Sequence, residues 1–383
     1  MHLVATGFIA AGAKVIVACR MEEREVKPWA DKLAASGCRV VDIPAEGIRH
    51  ASHAASLARD AGVRRVFFPN FDSVIYEMGK LGATHALAGL DVGGIWLRPD
   101  LTPLARGPVQ RVFEKLIRSR ANKTRRKQAR AVRNNLRGLV GFLPENRQLT
   151  GLRLFFTSRA AASEVGKRLP GETSLICDPW LSRCDTSKAD ARAWLGINAS
   201  RMILLHAGTS RQEKGLSDVC KALSSLDPSL SDRLLLLRAG KVDASDAPML
   251  KELVDRGVAH SLDRYLSEEE LSHCFAACDW VLLPYRNQSE SSGILIHAAA
   301  QNRPVIASNY GWIGQCTHDY GLGLSFRHLD TGALAEQLAK VARDNITECS
   351  PAGMNRFADA NSPESFQKTL ISLWLYENGT TWH

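Results

Sequence analysis

The chain has 383 residues, of which 45% are hydrophobic and 23% are charged, and its formal net charge is +9. This length exceeds what one hydrophobic core normally serves and predicts two domains, while the composition excludes a disordered or fibrous chain. No apolar run approaches the roughly 18 residues that cross a bilayer. The nine cysteines are scattered without a Cys-x-x-Cys pair, which predicts reduced, mostly buried thiols in a cytoplasmic protein and no metal site.

The first twenty residues predict a helix followed by a strand. Alanine-rich periodicity runs to Ala11, Gly12 interrupts it, and an apolar run covers Lys14–Cys19. A secretory signal is disfavoured, because no basic region precedes the apolar residues and they are broken by a glycine and a lysine.

The remainder of the first half alternates between short apolar runs and longer amphipathic segments. The predicted strands are Arg39–Ile43, Arg65–Phe68, Gly94–Leu97 and Leu152–Thr157, and the predicted helices are Lys27–Ser36, His50–Ala61 and Ser73–Leu81. Alternation at these lengths predicts a parallel sheet that is covered by helices on both faces.

A strongly basic segment, residues 104–138, interrupts this alternation. It holds twelve lysines and arginines against one acid, Glu114, so its local charge is +11 in a chain of net charge +9. A single basic patch indicates a binding partner. Three interpretations stay open: a solvated helix face, contact with an anionic membrane surface, and nucleic-acid binding. The third is disfavoured, because no aromatic residue lies among the arginines between Arg118 and Arg137.

The second half begins near Asp178, which follows a predicted strand, Thr173–Cys177, and marks the predicted crossing between domains. A strand at Met202–His206 then leads through a glycine-containing turn into the predicted helix Leu216–Leu226. A strand, turn and helix in this order place cations and backbone N–H groups where phosphates bind, at the carboxyl end of a parallel strand.

Within that turn, Lys214 and Arg211 are the natural partners of a diphosphate. A Lys-Gly pair at a helix start is common, so this turn alone carries little weight. Three more strands are predicted at Leu234–Ala239, His260–Tyr265 and Asp279–Tyr285. Ser267 and Glu270 form a capping box for the helix Glu268–Ala277, which accounts for these glutamates without a functional role.

The segment from Ser291 to Ser308 carries the most information. A helix opened by Ser292-Gly293 follows an apolar strand, and Arg303–Ala307 then enters another strand. At the start of that helix, unbonded backbone N–H groups and the positive end of the helix dipole point at one spot. Such a spot suits an anion such as a diphosphate.

Four motifs in one order resemble the family 4 glycosyltransferases, which have the GT-B fold. They are Ala-Arg-Ala-x-Leu-Gly at 191–196, Gly208 with Lys214-Gly215, Leu283-Pro284-Tyr285, and Ser292-Gly293 with Arg303–Ala307. The resemblance is strong over residues 152–345. In the first half, only the alternation of strands and helices is similar to the family. The resemblance implies an α/β protein with two Rossmann-like domains facing a cleft. Residues 1–176 would form the acceptor-side domain, 177–360 the nucleotide-sugar domain, and 361–383 a helix crossing back to the first domain.

The resemblance implies transfer of a sugar from a nucleoside-diphosphate donor to a hydroxyl acceptor, with retention of configuration and without a metal or other cofactor. The acceptor would be a polysaccharide or a lipid-linked glycan intermediate. Family members that use lipid-linked acceptors often carry a basic surface on the first domain. The resemblance therefore favours a cytoplasmic protein that contacts an anionic membrane surface through residues 104–138, and nucleic acid is not an expected partner.

The resemblance also assigns site residues. Lys214, Arg211 and Glu290 would be catalytic. The donor would be bound by Gly208, Thr209, Lys241, Arg264, Ser289, Ser291, Ser292, Gly293 and His297. In the first domain, only His85 and Asp91 are candidates for a catalytic role.

This chain departs from the family pattern at several of those positions. Thr209 occupies the position of a family arginine, and Arg211 is expected to supply that charge. Of two family glutamates, the first position is Ser289, with Glu290 adjacent, and the second is His297. A first strand with a glycine-rich loop, which the family places before the first helix, is also absent from this sequence. These departures keep open an alternative, in which the chain is a truncated or non-catalytic scaffold on the same fold.

Overall fold

A computed structural model of the protein describes residues 1–19, 27–42, 50–80, 83–97, 151–157, 159–167, 171–180, 185–197, 200–286, 291–343 and 349–375. The chain divides into two compact units: the first unit comprises residues 1–177 and 366–383, and the second comprises 178–365. Asp178 is therefore the first residue of the second unit. The basic segment 104–138 and its interpretations lie outside the described residues.

The first unit alternates helices and strands along the chain. Its elements are α1 His2–Ala10, β1 Ile16–Cys19, α2 Lys27–Ala35, β2 Arg39–Asp42, α3 His50–Asp60, β3 Arg65–Phe68, a 3-10 turn Phe71–Ser73, α4 Ile75–Lys80, α5 Ala83–Ala86, β4 Asp91–Ile95, β5 Gly151–Phe156, α6 Arg159–Gly166 and β6 Glu172–Leu175. The strands form a parallel pair, β1-β2, and a parallel four-stranded sheet in the order β3-β4-β5-β6.

Strand β4 corrects the predicted strand Gly94–Leu97, because it begins three residues earlier and includes two glycines. A Cβ atom on Gly93 would lie 2.8 Å from the side chains of Phe67 and Trp374, and one on Gly94 would lie 2.6 Å from Phe71. The glycines therefore give aromatic side chains room to pack on a central strand, and they do not break it.

The second unit has a longer series of elements. They are α7 Lys188–Trp194, β7 Met202–Ala207, a 3-10 turn Gln212–Lys214, α8 Leu216–Ser224, α9 Pro228–Ser231, β8 Leu234–Ala239, α10 Ala247–Asp255, β9 Ala259–Leu262, α11 Glu268–Ala277, β10 Trp280–Leu283, α12 Gly293–Ala300, β11 Val305–Ser308, α13 Gly311–Tyr320, β12 Gly323–Phe326, α14 Thr331–Ala342 and α15 Pro351–Ala360. The last helix, α16 Pro363–Trp374, begins in this unit and continues in the first.

The strands of the second unit form one parallel sheet in the order β12-β11-β10-β7-β8-β9. Hydrophobic clusters lie on both of its faces, which explains the unbroken apolar runs: β8 is Leu-Leu-Leu-Leu-Arg-Ala, and all six residues are buried. Strands that are covered on both faces are typically continuous apolar runs. The predicted strand His260–Tyr265 is corrected to β9, which ends at Leu262.

Helix α16 packs on the first unit. Phe366, Leu370 and Trp374 join Val4 and Phe8 in one buried cluster. The Gln367 side chain donates to the Leu3 carbonyl at 2.8 Å, and Arg65 donates to the Trp374 carbonyl at 2.7 Å. This confirms the predicted helix that crosses back to the first domain.

The eight described cysteines are unbridged thiols, and six of them are buried. Burial raises the pKa of Cys274 and of Cys278 to about 12, so both stay protonated and unreactive at neutral pH. In the described part of the chain, no helix is long and apolar enough to cross a bilayer.

Candidate functional site

The sheet of the second unit has a topological switch point between β7 and β10. From β7 the chain moves to β8 and β9 on one side, and it then returns to place β10 on the other side of β7. In open parallel sheets, ligands bind outside the carboxyl ends of the strands at such a point. Two loops flank it: residues 208–215 follow β7, and the described residues 284–286 and 291–292 lie between β10 and α12. Both contain predicted site residues.

The loop after β7 depends on glycine at both ends. Gly208 has φ = +98° and Gly215 has φ = +68°, a region that side chains rarely adopt. A Cβ atom on Gly215 would also lie 2.1 Å from the carbonyl oxygen of Pro284. The start of α8 is therefore packed directly against the chain that leaves β10.

Two further contacts join these loops. The backbone N–H of Arg286 donates to the carbonyl of Glu213 at 2.7 Å. Its guanidinium donates to both carboxylate oxygens of Asp218, which lies in the first turn of α8, and Nε contacts Oδ2 at 2.6 Å. These hydrogen bonds raise the pKa of Arg286. This ion pair was not predicted, since nothing in the local sequence signals a contact between residues 68 positions apart.

Lys214 places its charge at the junction of the two loops. Its Nζ lies 3.6 Å from the centroid of the Tyr285 ring, which is buried. An ammonium over an aromatic face is held electrostatically at a defined position. Arg211 differs, because it is exposed and its Nη1 lies 3.8 Å from the Glu213 carboxylate. The partly exposed Gly208 and Thr209 precede it in the same loop.

Ser292 and Gly293 open helix α12 as predicted. Ser292 is the N-cap residue and is buried, and its Oγ has no hydrogen-bond partner among the described residues. Gly293 is exposed, and a Cβ atom built on it would meet no atom within 4 Å. A buried hydroxyl thus lies at a helix N-terminus beside open space, an arrangement that suits an anion.

The residues around this helix start have different surroundings. Ser291 Oγ donates to Asp178 Oδ2 at 3.4 Å, and burial raises the pKa of that carboxyl. Ser289 and Glu290 lie outside the described residues. One turn into α12, His297 stacks on Phe275 with ring centroids 5.9 Å apart, and burial lowers its pKa. His297 is therefore a neutral hydrogen-bonding group at neutral pH.

Two of the predicted donor-binding residues, Lys241 and Arg264, are both engaged with carboxylates. Lys241 follows β8, and its Nζ lies 3.2 Å from Asp263. The position of Arg264 needs correction, because it lies two residues beyond the end of β9. Its guanidinium binds both oxygens of Glu270, at 2.8 and 2.6 Å. The hydrogen bond from Arg264 is the main cause that lowers the Glu270 pKa to about 2, and the predicted capping box at Ser267 is confirmed.

The position of His85 and Asp91 in the first unit argues against a catalytic role for either residue. His85 lies on α5, which leads into β4, and Asp91 is the first residue of that strand. Both therefore lie at the amino edge of the sheet, opposite the edge where ligands bind in parallel folds. Asp91 instead approaches Arg65, at 3.8 Å.

Two buried polar residues lie near the carboxyl ends of β7 and β8, just before the loops that follow these strands. His206 and Arg238 are neighbours in the β7–β8 register, and both are almost completely buried. The sequence signal for them was an arginine within a strand of leucines. Among the described residues, no cluster of His, Cys, Asp or Glu side chains forms a metal site.

Comparison with known proteins finds a similarity to glycosyltransferases within the second unit. The family model for glycosyl transferases group 1 matches residues 187–356. The chain is 32% identical over 166 residues to D-inositol 3-phosphate glycosyltransferase of Saccharomonospora viridis, which is 41% of this chain and 38% of that protein. It is 27% identical over 153 residues to N-acetyl-alpha-D-glucosaminyl L-malate synthase of Bacillus anthracis, 39% of this chain. The match spans 38% of the length of each relative.

Solved structures match nearly the whole chain. Sucrose-phosphate synthase of Thermosynechococcus elongatus has a TM-score of 0.65 at 17% identity and covers 97% of this chain and 90% of its own. WaaG, a glycosyltransferase involved in lipopolysaccharide biosynthesis, has a TM-score of 0.62 at 15% identity, with 97% and 94% covered. Anabaena HepE in complex with UDP has a TM-score of 0.64 at 12% identity, with 94% and 99% covered.

These matches confirm the α/β fold with two Rossmann-like units of the GT-B type. Within that fold, residues 187–356 are similar to the group 1 glycosyltransferases, and the match spans less than half of the chain.

Proposed function

We propose that this chain transfers a sugar from a nucleoside-diphosphate donor to a hydroxyl acceptor. One observation carries the proposal: at the switch point, the Lys214 ammonium lies over Tyr285, in the loop that leads to the buried Ser292 hydroxyl at the start of α12. A cation and a helix N-terminus at the carboxyl edge of a parallel sheet are complementary to a diphosphate.

The same groups would stabilise the departing diphosphate. As the bond between the anomeric carbon and the diphosphate oxygen breaks, negative charge grows on the leaving group. The acceptor oxygen forms the new bond to that carbon and releases its proton to the departing diphosphate, whose oxygen becomes more basic as its own bond to the carbon breaks. Lys214, Arg211 and the N-terminus of α12 would supply the positive potential that a divalent ion supplies in other phosphate sites. We therefore propose that the reaction needs no metal or other cofactor.

The donor contacts follow the predicted site. Gly208 and Thr209 would lie beside the diphosphate, Ser291 and Gly293 would bind it through the start of α12, and His297 would hydrogen-bond the ribose. The remaining predicted donor and sugar contacts are Lys241, Arg264, Ser289 and Glu290. The family resemblance supports retention of configuration. Uridine diphosphate sugars are the first donors to test, since Anabaena HepE, which shares this fold, was solved with UDP and with UDP-glucose.

We propose a polysaccharide or lipid-linked glycan intermediate as the acceptor, because the basic segment 104–138 would hold the protein near anionic lipid headgroups. The unbridged thiols support a reducing compartment such as the cytoplasm, where membrane association would be peripheral.

A thermal-shift panel tests the donor site first. Wild-type protein is heated with UDP, GDP, ADP and CMP and with their sugar conjugates, and sugar transfer to hydroxyl acceptors is then measured with the nucleotide that stabilises it. A ligand that binds only the folded state raises the midpoint by mass action. We expect one diphosphate to raise it, Lys214→Ala to lose that effect, and EDTA to leave transfer unchanged. If no nucleotide raises the midpoint, the proposal fails.

A non-catalytic scaffold is the second candidate. It is favoured by Thr209 at the position of a cation and by His297, which packs on Phe275 where the family has a carboxylate. A chain that binds a nucleotide diphosphate but neither transfers nor hydrolyses the donor sugar would support it.

A further inference from the structure

Arg238 is a fully buried arginine at the carboxyl end of a strand that is otherwise leucine and alanine. Its Nη1 donates to the carbonyls of His206, at 3.0 Å, and Ala239, at 2.5 Å. Its Nη2 donates to the carbonyls of Gly208, at 2.5 Å, and Lys241, at 3.2 Å. All four carbonyls belong to the ends of β7 and β8 or to the loops that follow them. Burying a guanidinium is costly, so this arrangement needs an explanation beyond core packing.

One of these four carbonyls, that of Gly208, is also close to Gly240. That oxygen receives the Arg238 Nη2 donor, and a Cβ atom on Gly240 would lie 2.6 Å from it. Gly240 has φ = +121° and Gly208 has φ = +98°, which only glycine adopts readily. Two glycines thus let the chain turn its carbonyl oxygens inward, onto the arginine.

This arrangement changes the electrostatic potential at the loop after β7. Carbonyl oxygens at the ends of parallel strands carry partial negative charge, which would repel a diphosphate. Here the Arg238 guanidinium binds these oxygens from the interior of the unit. It keeps its positive charge, because burial lowers its pKa only to about 10 and both Asp246 and Asp263 oppose the shift. A charge in a low-dielectric interior acts more strongly on its surroundings than an exposed one.

His206 holds the other end of the same loop. It lies beside Arg238 in the strand register, and its Nε2 lies 3.0 Å from the carbonyl oxygen of Lys214. Burial is the largest cause that lowers the His206 pKa to about 3, with Arg238 adding to it. The neutral ring therefore donates from Nε2 to this carbonyl. Lys214 is thus held through its main chain as well as through the face of Tyr285.

We propose that Arg238 and His206 are positioning residues for the diphosphate. Arg238 turns carbonyls at the ends of β7 and β8 inward, and His206 fixes the main chain of Lys214 in the loop that would meet the ligand. The inference rests on the proposed function for its ligand. The buried Arg238 would also supply a second positive charge beside the loop after β7, in which Thr209 occupies the position of a family arginine.

The test uses inorganic pyrophosphate and the nucleoside of the nucleotide that stabilises the wild type, each titrated by calorimetry. Arg238→Met removes the donors and the charge at similar length, and Arg238→Lys keeps the charge but not the four-way contact. Arg256→Met, at the exposed C-cap that follows α10, is the matched control. Hydrogen exchange of residues 206–215 is measured without ligand, because it reports loop order independently of binding.

We expect Arg238→Met to weaken pyrophosphate binding by at least about tenfold, with nucleoside binding unchanged and faster exchange in residues 206–215. Arg238→Lys should fall between Arg238→Met and the wild type, which keeps the test informative if the methionine variant does not fold. His206→Phe should weaken pyrophosphate binding as well.

Wild-type affinity and wild-type exchange in Arg238→Met would overturn the inference while leaving the proposed function intact. An equal loss of nucleoside and pyrophosphate binding would also overturn it, because it would indicate general destabilisation. A wild type that binds no diphosphate would overturn the proposed function, and this inference with it.

Discussion

The ion pair between Asp218 and Arg286 joins the two loops at the switch point, and Asp218→Asn tests what it contributes. The substitution keeps the shape of the side chain but removes the charge that faces the guanidinium. Arg286 would keep its backbone bond to Glu213, while its side chain would face a neutral amide. We expect a less stable second unit and a looser loop around Lys214.

The magnitude follows from burial. The Asp218 side chain is 12% exposed and that of Arg286 is 25% exposed. Removing one partner of a fully buried pair destabilises a protein by roughly 3–5 kcal/mol. Because the arginine is partly solvated, we expect about 2 kcal/mol here. For a unit of this size that corresponds to a fall of about 4–8 °C in Tm.

Urea unfolding, followed by fluorescence, measures the effect in a double-mutant cycle with Asp218→Asn and Arg286→Met. The coupling energy should be about 1–2 kcal/mol. The control cycle uses Lys251 and Asp255, an i,i+4 pair on α10 whose side chains are 72% and 59% exposed. Its coupling should stay below about 0.5 kcal/mol.

Equal coupling energies in the two cycles would refute this reasoning, since burial would then make no difference to the pair. A stable Asp218→Asn variant with unchanged nucleotide affinity would further show that the loops do not depend on this contact.

Three other predictions concern stability. The His206 pKa is lowered to about 3, so the unfolded chain binds the extra proton below about pH 6.5 and wild-type stability should fall on acidification. His206→Gln should remove up to about 2 kcal/mol of that loss between pH 7 and 5. If urea titrations show the same fall in the free energy of unfolding with pH in the variant and the wild type, a neutral buried histidine is contradicted. The buried Glu77 carboxylate accepts from the N–H groups of Ala51 and Ser52 at the start of α3, so Glu77→Ala should destabilise the first unit by about 3 kcal/mol. A loss below about 1 kcal/mol in urea unfolding would show that these N–H groups find other partners. Gly240→Ala should destabilise by about 2 kcal/mol or more. Gly257 also has a positive φ, but a Cβ atom there would meet open space, so Gly257→Ala should destabilise the protein less. Equal losses of stability in the two variants would show that the contact between residue 240 and Gly208 is unimportant.

Local pattern was enough to predict most elements of this chain. The strands Arg65–Phe68 and Leu234–Ala239 and the helix at Glu268–Ala277 were predicted with their observed bounds, because apolar runs, glycine turns and a capping box are encoded within a few neighbouring residues. The start of α12 at Ser292-Gly293 was predicted for the same reason. The order of motifs along the second half predicted the similarity to glycosyltransferases that the family match shows over residues 187–356.

Only the tertiary structure decided how those elements meet. The sequence could not order β10 beside β7, and that order creates the switch point where Lys214 and the start of α12 belong to neighbouring loops. Nor could it assign Arg264 to Glu270, or Arg238 to the carbonyls at the ends of β7 and β8. Such contacts join residues that are far apart in the chain or separated by a turn of undetermined direction. Their geometry is set by strand order and packing, which no local window of sequence contains.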